Sequence, residues 1–489
     1  MEEKKTGLNP KEKRTLMIVS LAIVLALVFG ISYAYFLAQD ESGTQTITTV
    51  NLGLTFDDST PVVNAPNIKP ITIEEVLAEE TKAVQKTFTL TKKEGSEDIY
   101  AKIELANIET TEELAEYDLK WALYQGSEAE ISAGTAKKVA TGDFGGKTSG
   151  NIVLATNQLI SSTPITYNLY IWINETNLNQ STMMGQSLTA KIVASGTDEK
   201  QNTLASVILG ENNANVLPGG FDFENDYECQ ISTNPYTGEE FINACTKKYT
   251  TGLYAQQGNT SKSEMGFPTY YYRGAVTNNY VKFANQTWRI VRINEDGSIR
   301  LISQNNIFSS SAWNLQGTPN YVNAGDSESD TIKDVVDDWY DSNIGNDSSL
   351  NNKVVTSSFC NDISNNYNAA NDRLEVSLSN IPNPIFTCPA GAITVYEKIG
   401  LITADEAFYA GLSTMYSSSS YLEDELVFWT ITPSSNNSIY VYEMQGTMMS
   451  TMDTRNSMYY SARAVINLSP DVIVTGGDGL SANTAYTIE

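Results

Sequence analysis

The chain has 489 residues, a formal charge of −27 and no histidine. This length predicts two or three domains. So acidic a chain repels nucleic acid, which excludes that class of partner, and the absence of histidine excludes Ser/His/Asp and Cys/His catalysis and His-ligated metal sites. The sequence indicates no catalytic residue and no cofactor, so we expect a protein that is not an enzyme.

Basic residues in 1–14 lead into an uncharged apolar stretch. Leu16–Ala38 contains 23 residues and covers roughly 34 Å as a helix, enough to cross a hydrocarbon core of ~30 Å. No Lys or Arg follows until Lys69, and this asymmetry predicts a cytoplasmic N-terminus with the rest of the chain outside. We therefore predict a cytoplasmic segment at 1–14 and a transmembrane anchor or signal peptide at 15–38.

A cleavage signal overlaps the end of this stretch. Ser32 and Ala34 are small residues at the −3 and −1 positions of a signal-peptidase site. Cleavage near Ala34 would give a secreted or cell-surface protein, whereas retention gives a single-pass membrane protein held in the bilayer by residues 16–38. Both alternatives place the remaining chain outside the cytoplasm.

Four cysteines in an extracytoplasmic chain suggest two disulfides, for which three connectivities exist. Pairing of sequence neighbours, Cys229 with Cys245 and Cys360 with Cys388, is our choice because each pair lies inside one module. Buried free thiols are the alternative. The lack of a C-x-x-C spacing argues against zinc.

Residues 45–197 alternate apolar and polar side chains with a period of two, the pattern of strands with one buried face. The clearest runs are Ile99–Leu105, Leu119–Leu123, Tyr167–Ile173 and Leu188–Ala194. One short helix is predicted over Ile73–Lys82. Several strands without long helices predict an all-β sandwich, which would act as a stalk.

Two passages of this region carry a family resemblance. YAYFLAQDESGTQTITTVNLGLTF, residues 33–56, resembles the start of the TasA/camelysin group of bacterial surface proteins, and YNLYIWIN with MMGQSLTAKIVASG, within residues 167–196, resembles that group's closing strands. The resemblance implies a jelly-roll or Ig-like sandwich, processing at the leader and a cell-surface or matrix-fibre context. Self-assembly is the partner interaction that it implies.

Residues 198–265 are predicted to be a linker with a disulfide loop. Thr203–Asn213 has apolar residues at helical spacing and ends before a Pro-Gly-Gly break. Asn, Thr, Ser and Gly dominate the remainder, which contains Cys229 and Cys245. A binding loop is the alternative for this region.

Residues 266–489 mix strands and helices without a βαβ rhythm, which predicts an α+β domain. Asp296-Gly297 between two apolar runs predicts a hairpin. Apolar residues at helical spacing predict a helix over Asp330–Tyr340, and a capping box at Thr403–Glu406 predicts another. Later strands are predicted at Leu426–Thr430, Ile439–Glu443 and Ala462–Leu468.

The second resemblance covers nearly all of this domain. YYYRGAVTNNYVKFANQTWRIVRINEDGSIRLIS, DDWYDSNI, KIGLITADEAFYAG, FWTITP and SARAVINLS, in this order over residues 270–469, are similar to uncharacterised surface-protein domains of Gram-positive gut bacteria. Such domains are distantly similar to the C-type-lectin-like fold of formylglycine-generating enzymes. The resemblance implies late loops that form a ligand face. The enzymatic branch of that fold needs a reactive cysteine pair. Cys360 and Cys388 precede the late strands, which is typical of structural cysteines, so no enzymatic activity is carried over.

Late segments rich in Tyr, Ser and Asn have the composition of adaptable recognition surfaces. Their aromatic rings, like Trp313 earlier in the domain, could stack on sugars, and core packing is the alternative role. The candidate ligand-binding residues are Trp313, Trp429, Tyr440, Tyr442, Tyr459 and Tyr460.

No metal site is predicted. Asp326, Glu328 and Asp330 alternate like the opening of a calcium loop, but Thr331 stands where a Gly is required and no Glu closes the loop. The following helix carries carboxylates on its polar face, where solvation explains them better than catalysis.

Together these patterns predict a non-enzymatic surface protein of a Gram-positive bacterium. Its distal domain, residues 266–489, would bind an extracellular ligand, glycan or protein, in adhesion. The alternative is a structural subunit of an extracellular fibre or biofilm matrix.

Overall fold

The computed structural model describes residues 45–49, 52–57, 70–77, 83–116, 119–175, 179–183, 186–212, 221, 223, 227–247, 251–257, 262–308, 310–321, 331–362, 373–374, 382–389, 392–413, 419–423, 427–435, 439–446, 448–456 and 460–488. Strands account for more of these residues than helices do, and the helices are short. Within these ranges no helix is long and apolar enough to span a bilayer. The predicted anchor at 15–38 falls outside them.

Residues 45–197, here called the first module, contain ten of the described strands, three short α-helices and the 3-10 helix Ser181–Met183. The strands are β1 Gln45–Thr49, β2 Leu52–Asp57, β3 Pro70–Ile71, β4 Val84–Lys92, β5 Ile99–Glu109, β6 Leu119–Gln125, β7 Lys137–Asp143, β8 Ser149–Ile160, β9 Ile165–Asn174 and β10 Thr189–Thr197. The helices are α1 Ile73–Val76, α2 Glu112–Glu116 and α3 Glu128–Ser132. The four predicted strand runs are confirmed, and the helix predicted over Ile73–Lys82 is described only as α1.

Two sheets of the first module enclose one hydrophobic core. One has the order β1-β2-β4-β9-β6-β7, with β3 parallel to β9, and the other has the order β10-β5-β8. Leu105 from the smaller sheet and Trp121 and Leu169 from the larger one belong to the same buried cluster. Burial of these alternating apolar residues is the main favourable contribution to such a core.

Strands β6 and β9 of the larger sheet are buried on both faces, which differs from the expectation of one buried face. Tyr124, Tyr170 and Trp172 point away from the shared core and pack with Met265 and Phe267. Tyr124 meets the Phe267 ring edge-on at 5.3 Å. The residues after position 260 therefore cover a sheet face that the sequence pattern assigned to solvent.

The described remainder begins with α4 Leu204–Glu211 and the strands β11 Tyr227–Thr233, β12 Glu240–Lys247 and β13 Gly252–Gln256. The helix predicted over Thr203–Asn213 is confirmed. This helix lies within the predicted linker, but Leu204 and Ile208 are fully buried in the core of the later domain. Strand β13 also pairs with β14, so two elements of the predicted linker, α4 and β13, belong to the later domain.

The later strands are β14 Thr269–Arg273, β15 Tyr280–Phe283, β16 Gln286–Ile293, β17 Ile299–Ser303, β18 Val354–Val355, β19 Ser357–Asn361, β20 Ile393–Glu397, β21 Ile399–Gly400, β22 Val427–Pro433, β23 Tyr440–Gln445, β24 Met448–Asp453, β25 Tyr460–Ser461, β26 Val465–Leu468, β27 Val474–Gly476 and β28 Tyr486–Ile488. The helices are α5 Ile332–Tyr340, α6 Ser348–Asn351 and α7 Ala404–Tyr409. We call α4 together with β13–β28 the second module.

A ten-stranded sheet forms the centre of the second module. Its main order is β18-β26-β17-β16-β15-β28-β27, with β14 beside β16, β13 beside β14 and β21 beside β26. A four-stranded sheet, β24-β23-β22-β25, contributes to the same core. The predicted hairpin is confirmed as β16–β17, and the two predicted helices are confirmed as α5 and α7.

Candidate functional site

A cleft of about 250 Å³ lies between the two modules. The first module contributes the ends of β6, β7 and β9 to its walls, including Lys120 and Asp143. The second module contributes the β16–β17 turn, strand β19 and residues 386–389. Clefts between domains are common sites for ligands, since groups from two bodies can converge on one molecule.

The cleft has a defined shape because the modules are fixed to each other at its edge. The backbone N–H of Thr141 donates to the carbonyl of Glu295 at 3.0 Å, and Lys138 Nζ donates to the carbonyl of Met265 at 2.8 Å. At a separate contact Lys102 Nζ lies 3.1 Å from Asp471 Oδ2. These three contacts join strands of the first module to turns of the second.

Gly142 allows a close approach between the modules. A Cβ atom at this position would lie 3.0 Å from Cβ of Asp296 and 3.1 Å from the Trp121 ring. Such distances are too short for any larger residue without a shift of the neighbours. The absence of a side chain at position 142 thus allows the β16–β17 turn to pack directly against β7.

The β16–β17 turn presents carboxylates to the cleft. Asp296 Oδ1 accepts hydrogen bonds from the backbone N–H of Ser298 at 2.8 Å and from its hydroxyl at 2.6 Å, which holds the turn. Burial against β7 raises the pKa of Asp296 to about 6, and Asp143 and Glu295 add to the rise. The hydrogen bonds from Ser298 oppose it.

The described lining of the cleft is polar and mainly acidic. Five carboxylates face it together with two basic groups, Lys120 and Arg292, and several Ser, Thr and Asn side chains. Phe386 also lines the cleft, but its ring stacks on Tyr409 at 3.9 Å on one side and contacts the Arg292 guanidinium at 4.9 Å. The cleft can therefore accept many hydrogen bonds from a ligand, while its aromatic ring is already engaged.

Behind the cleft lies a network of buried charges. Arg300 Nε lies 2.6 Å from Glu406 Oε1, and Arg292 Nε lies 3.2 Å from the same oxygen. Arg373 binds Asp405 through two hydrogen bonds of 2.8 and 2.7 Å and also lies 2.9 Å from Asp362. Because these ion pairs are shielded from water, their geometry is expected to be rigid.

The predicted disulfide between Cys360 and Cys388 is confirmed, with Cα atoms 5.5 Å apart. It ties the end of β19 to residues 386–389, which line the cleft. For the other predicted pair, the β11–β12 register places Cys229 directly opposite Cys245. That backbone placement is the one that the predicted pairing requires.

Most of the predicted aromatic site residues lie in the core and not in the cleft. Trp313, Trp429, Tyr442 and Tyr460 are at most 8% exposed. Trp313 Nε1 donates to the carbonyl of Thr430, and Trp429 stacks on Tyr460 at 4.4 Å. Core packing, the alternative role, describes these four, since a ring that stacks on a sugar needs an exposed face.

Tyr440 and Tyr459 differ from the other four. Tyr440 is 45% exposed on β23, away from the residues that line the cleft. Tyr459 lies outside the described residues, as do Asp326, Glu328 and Asp330 of the rejected calcium loop. Among the described residues no cluster of three or more His, Cys, Asp or Glu side chains could hold a metal ion.

Sequence reasoning missed two arginines, one that lines the cleft and one that lies behind it. Arg292 and Arg300 sit inside the apolar runs TWRIVRI and SIRLI, where a charge on a buried strand was the available signal. Glu406 was identified only as a helix cap. Its second role depends on which strand faces α7, which no local pattern reveals.

The chain matches neither a protein-family model nor a curated protein. The two resemblances noted in the sequence therefore stay predictions.

Proposed function

We propose that this protein is a non-enzymatic bacterial surface protein that binds a polar extracellular ligand, a glycan in the first instance, in the cleft between its modules. Residues 16–38 would hold it in the membrane unless cleavage near Ala34 releases it. The proposed finer folds are a jelly-roll or Ig-like first module and a C-type-lectin-like second module.

The observation that carries this proposal is the convergence of both modules on one polar cleft. Carboxylates such as Asp143 and Glu295 accept hydrogen bonds from sugar hydroxyls, while Lys120 and Asn294 can donate them. The walls are held by backbone contacts and by a disulfide, so little ordering is needed when a ligand binds. Recognition would rest on hydrogen bonds and not on stacking against Trp313 or Trp429.

A glycan array with an ectodomain of residues 45–489 tests this function. Both modules are included because each supplies one wall of the cleft. We expect saturable binding to a restricted set of glycans, and silence across carbohydrate and host-matrix panels would contradict the proposal.

A matched pair of variants localises the site. Ser357 lines the cleft, so Ser357→Trp should block it and abolish binding. Thr451 is exposed on β24 away from the cleft, and Thr451→Trp should bind as the wild type does. If both variants lose glycan binding equally, the loss reflects a general folding defect and the cleft is not located as the site.

Fibre formation is the second candidate function. Strand β1 is the first strand of the larger sheet and within the described residues pairs only with β2, so its outer edge could pair with another copy. A fibre subunit should lose its leader and form sedimentable polymers after purification. A monomeric ectodomain in sedimentation velocity would count against this function.

A further inference from the structure

A smaller cavity of about 30 Å³ lies behind the cleft. The two spaces share Arg292, Ser358 and Phe386 among their lining residues, so the small cavity borders the cleft. Arg300, Asp362 and Glu406 line it on the inner side. We call it the inner cavity.

The charges at one end of the inner cavity are incompletely paired. Arg292 and Arg300 share a single carboxylate oxygen, Glu406 Oε1. The other oxygen of Glu406 accepts the backbone N–H of Thr403 at 3.0 Å, as part of the cap of α7. Arg292 also lies 3.8 Å from Glu295 Oε2 through Nη1, whereas Arg300 has Glu406 as its one ion-pair partner among the described residues.

Arg300 keeps an unsatisfied donor. Its side chain is 2% exposed, and within the described residues its Nη1 has no hydrogen-bond partner. Leaving a buried donor of a charged group unpaired is unfavourable, and pairing it with an anionic acceptor is favourable. Burial lowers the pKa of Arg300 to about 10, although Glu406 opposes the shift and Arg292 adds to it.

At the opposite end of the inner cavity, carboxylates outnumber arginines. Arg373 is held between two carboxylates, Asp405 and Asp362, and Asp362 Oδ1 has no hydrogen-bond partner among the described residues. An anion at that end would meet repulsion. An anion in the inner cavity is thus directed toward Arg300 and Arg292.

We propose that the inner cavity is a carboxylate subsite, in which Arg300 and Arg292 bind the acidic group of a sugar acid whose hydroxyls occupy the cleft. This assignment rests on the proposed glycan-binding function and names its ligand class. At roughly 10–15 Å³ per water-sized group, the volume of about 30 Å³ has room for about two such groups, as the two oxygens of a carboxylate require.

Calorimetry on the ectodomain of residues 45–489 tests the subsite with glucuronate, glucose and sodium formate at constant ionic strength. A charge-assisted contact predicts that glucuronate binds at least about tenfold more tightly than glucose. Formate should compete with glucuronate, because it presents the same carboxylate without the sugar. Equal affinity of glucuronate and glucose would overturn the subsite.

Three variants locate the effect. Arg300→Gln and Arg292→Gln should each reduce the preference for glucuronate over glucose about tenfold or more, and Arg455→Gln, on an exposed arginine distant from the cavity, should leave it unchanged. If Arg300→Gln does not fold, Arg292→Gln still tests the subsite. The Arg292 side chain is 11% exposed and lines both the cleft and the inner cavity. An unchanged preference in folded Arg292→Gln would contradict the assignment.

The subsite and the wider function fail in different ways. Array binding that is equal for acidic and neutral glycans would leave the proposed function intact and overturn the subsite. Formate binding without any glycan binding, lost in Arg292→Gln, would support the subsite and contradict the glycan function. In crystals soaked with sodium formate we expect the carboxylate within hydrogen-bond distance of Arg300 Nη1, and an ordered formate elsewhere only would contradict the subsite.

Discussion

Arg300 and Glu406 form an ion pair of 2.6 Å in which both side chains are only 2% exposed. Arg300 lies on a strand of the central sheet, and Glu406 is the residue that completes the capping box of α7 with Thr403. One carboxylate thus fixes the start of a helix and neutralises charge on the sheet beneath it.

This relationship predicts a large effect for Glu406→Gln. The amide can still accept the backbone N–H of Thr403, so the cap is preserved while the charge is lost. Breaking a buried ion pair leaves uncompensated charge, and we expect a loss of about 3–5 kcal/mol in the free energy of unfolding, measured with urea. The control Asp98→Asn breaks the surface ion pair with Lys92. It should change the free energy of unfolding by no more than about 0.5 kcal/mol.

Asp296 predicts a pH dependence of stability. Because burial raises its folded-state pKa to about 6, above its usual value in the unfolded chain, the folded protein binds the proton more tightly. Proton binding by Asp296 contributes on the order of 3 kcal/mol to the free energy of unfolding. This contribution is full below about pH 4 and is lost as the pH rises through about 6. Asp296→Asn should remove this component from urea unfolding curves between pH 4 and 7.

Asparagine at position 296 still accepts the hydrogen bonds of Ser298, so the turn itself should persist. The matched control is Asp338→Asn, on the exposed face of α5, which should keep the wild-type pH profile. A profile of Asp296→Asn parallel to that of the wild type would show that Asp296 does not bind its proton more tightly in the folded state.

Gly142 predicts a steric test of the contact between modules. Valine there must displace the Asp296 turn or the Trp121 ring, and overpacking of this kind costs about 1–3 kcal/mol. We expect lower thermal stability and faster proteolysis at the junction. Gly210→Ala in α4 meets no atom within 4 Å and should be neutral or stabilising, so destabilisation by both substitutions would argue against a special role for position 142.

The disulfide between Cys360 and Cys388 predicts a coupling between redox state and binding. The closed loop spans 28 positions, and its loss should cost about 3–4 kcal/mol of unfolding free energy. Because the bond holds residues 386–389 at the cleft, the double variant Cys360→Ala/Cys388→Ala should also bind glycans more weakly. Array binding at the wild-type level by the folded double variant would show that the cleft wall does not depend on the bond.

Two aromatic residues predict opposite outcomes. Trp429 is fully buried, and Trp429→Ala should destabilise the protein by about 3–5 kcal/mol. Tyr440 is 45% exposed, and Tyr440→Ala should leave stability nearly unchanged. Unfolding curves of the two variants measure this difference, and a near-neutral Trp429→Ala would contradict its place in the core.

Local patterns predicted much of the secondary structure. The β16–β17 hairpin followed from Asp-Gly between apolar runs, and α5 and α7 followed from apolar spacing and a capping box. The Cys360–Cys388 pairing followed from proximity in sequence. Each of these depends on residues within about 30 positions of one another, where the chain's own chemistry limits the alternatives.

Contacts over longer separations decided the rest. Whether Tyr170 and Trp172 face solvent depended on Met265 and Phe267, about 95 positions away, and the role of Glu406 depended on Arg300. Composition suggested that late aromatic residues form a ligand face, but packing against other elements buried four of the six candidates.

The sequence by itself determined the acidic character of the chain, the absence of histidine chemistry, the apolar stretch at Leu16–Ala38 and the strand-rich pattern. These are properties of composition and of periods of a few residues. Only the tertiary structure decided where the cleft lies and which charges line it, because Asp143, Arg292 and Cys388 are distant in sequence. Their proximity follows from the packing of two modules, which no local pattern encodes.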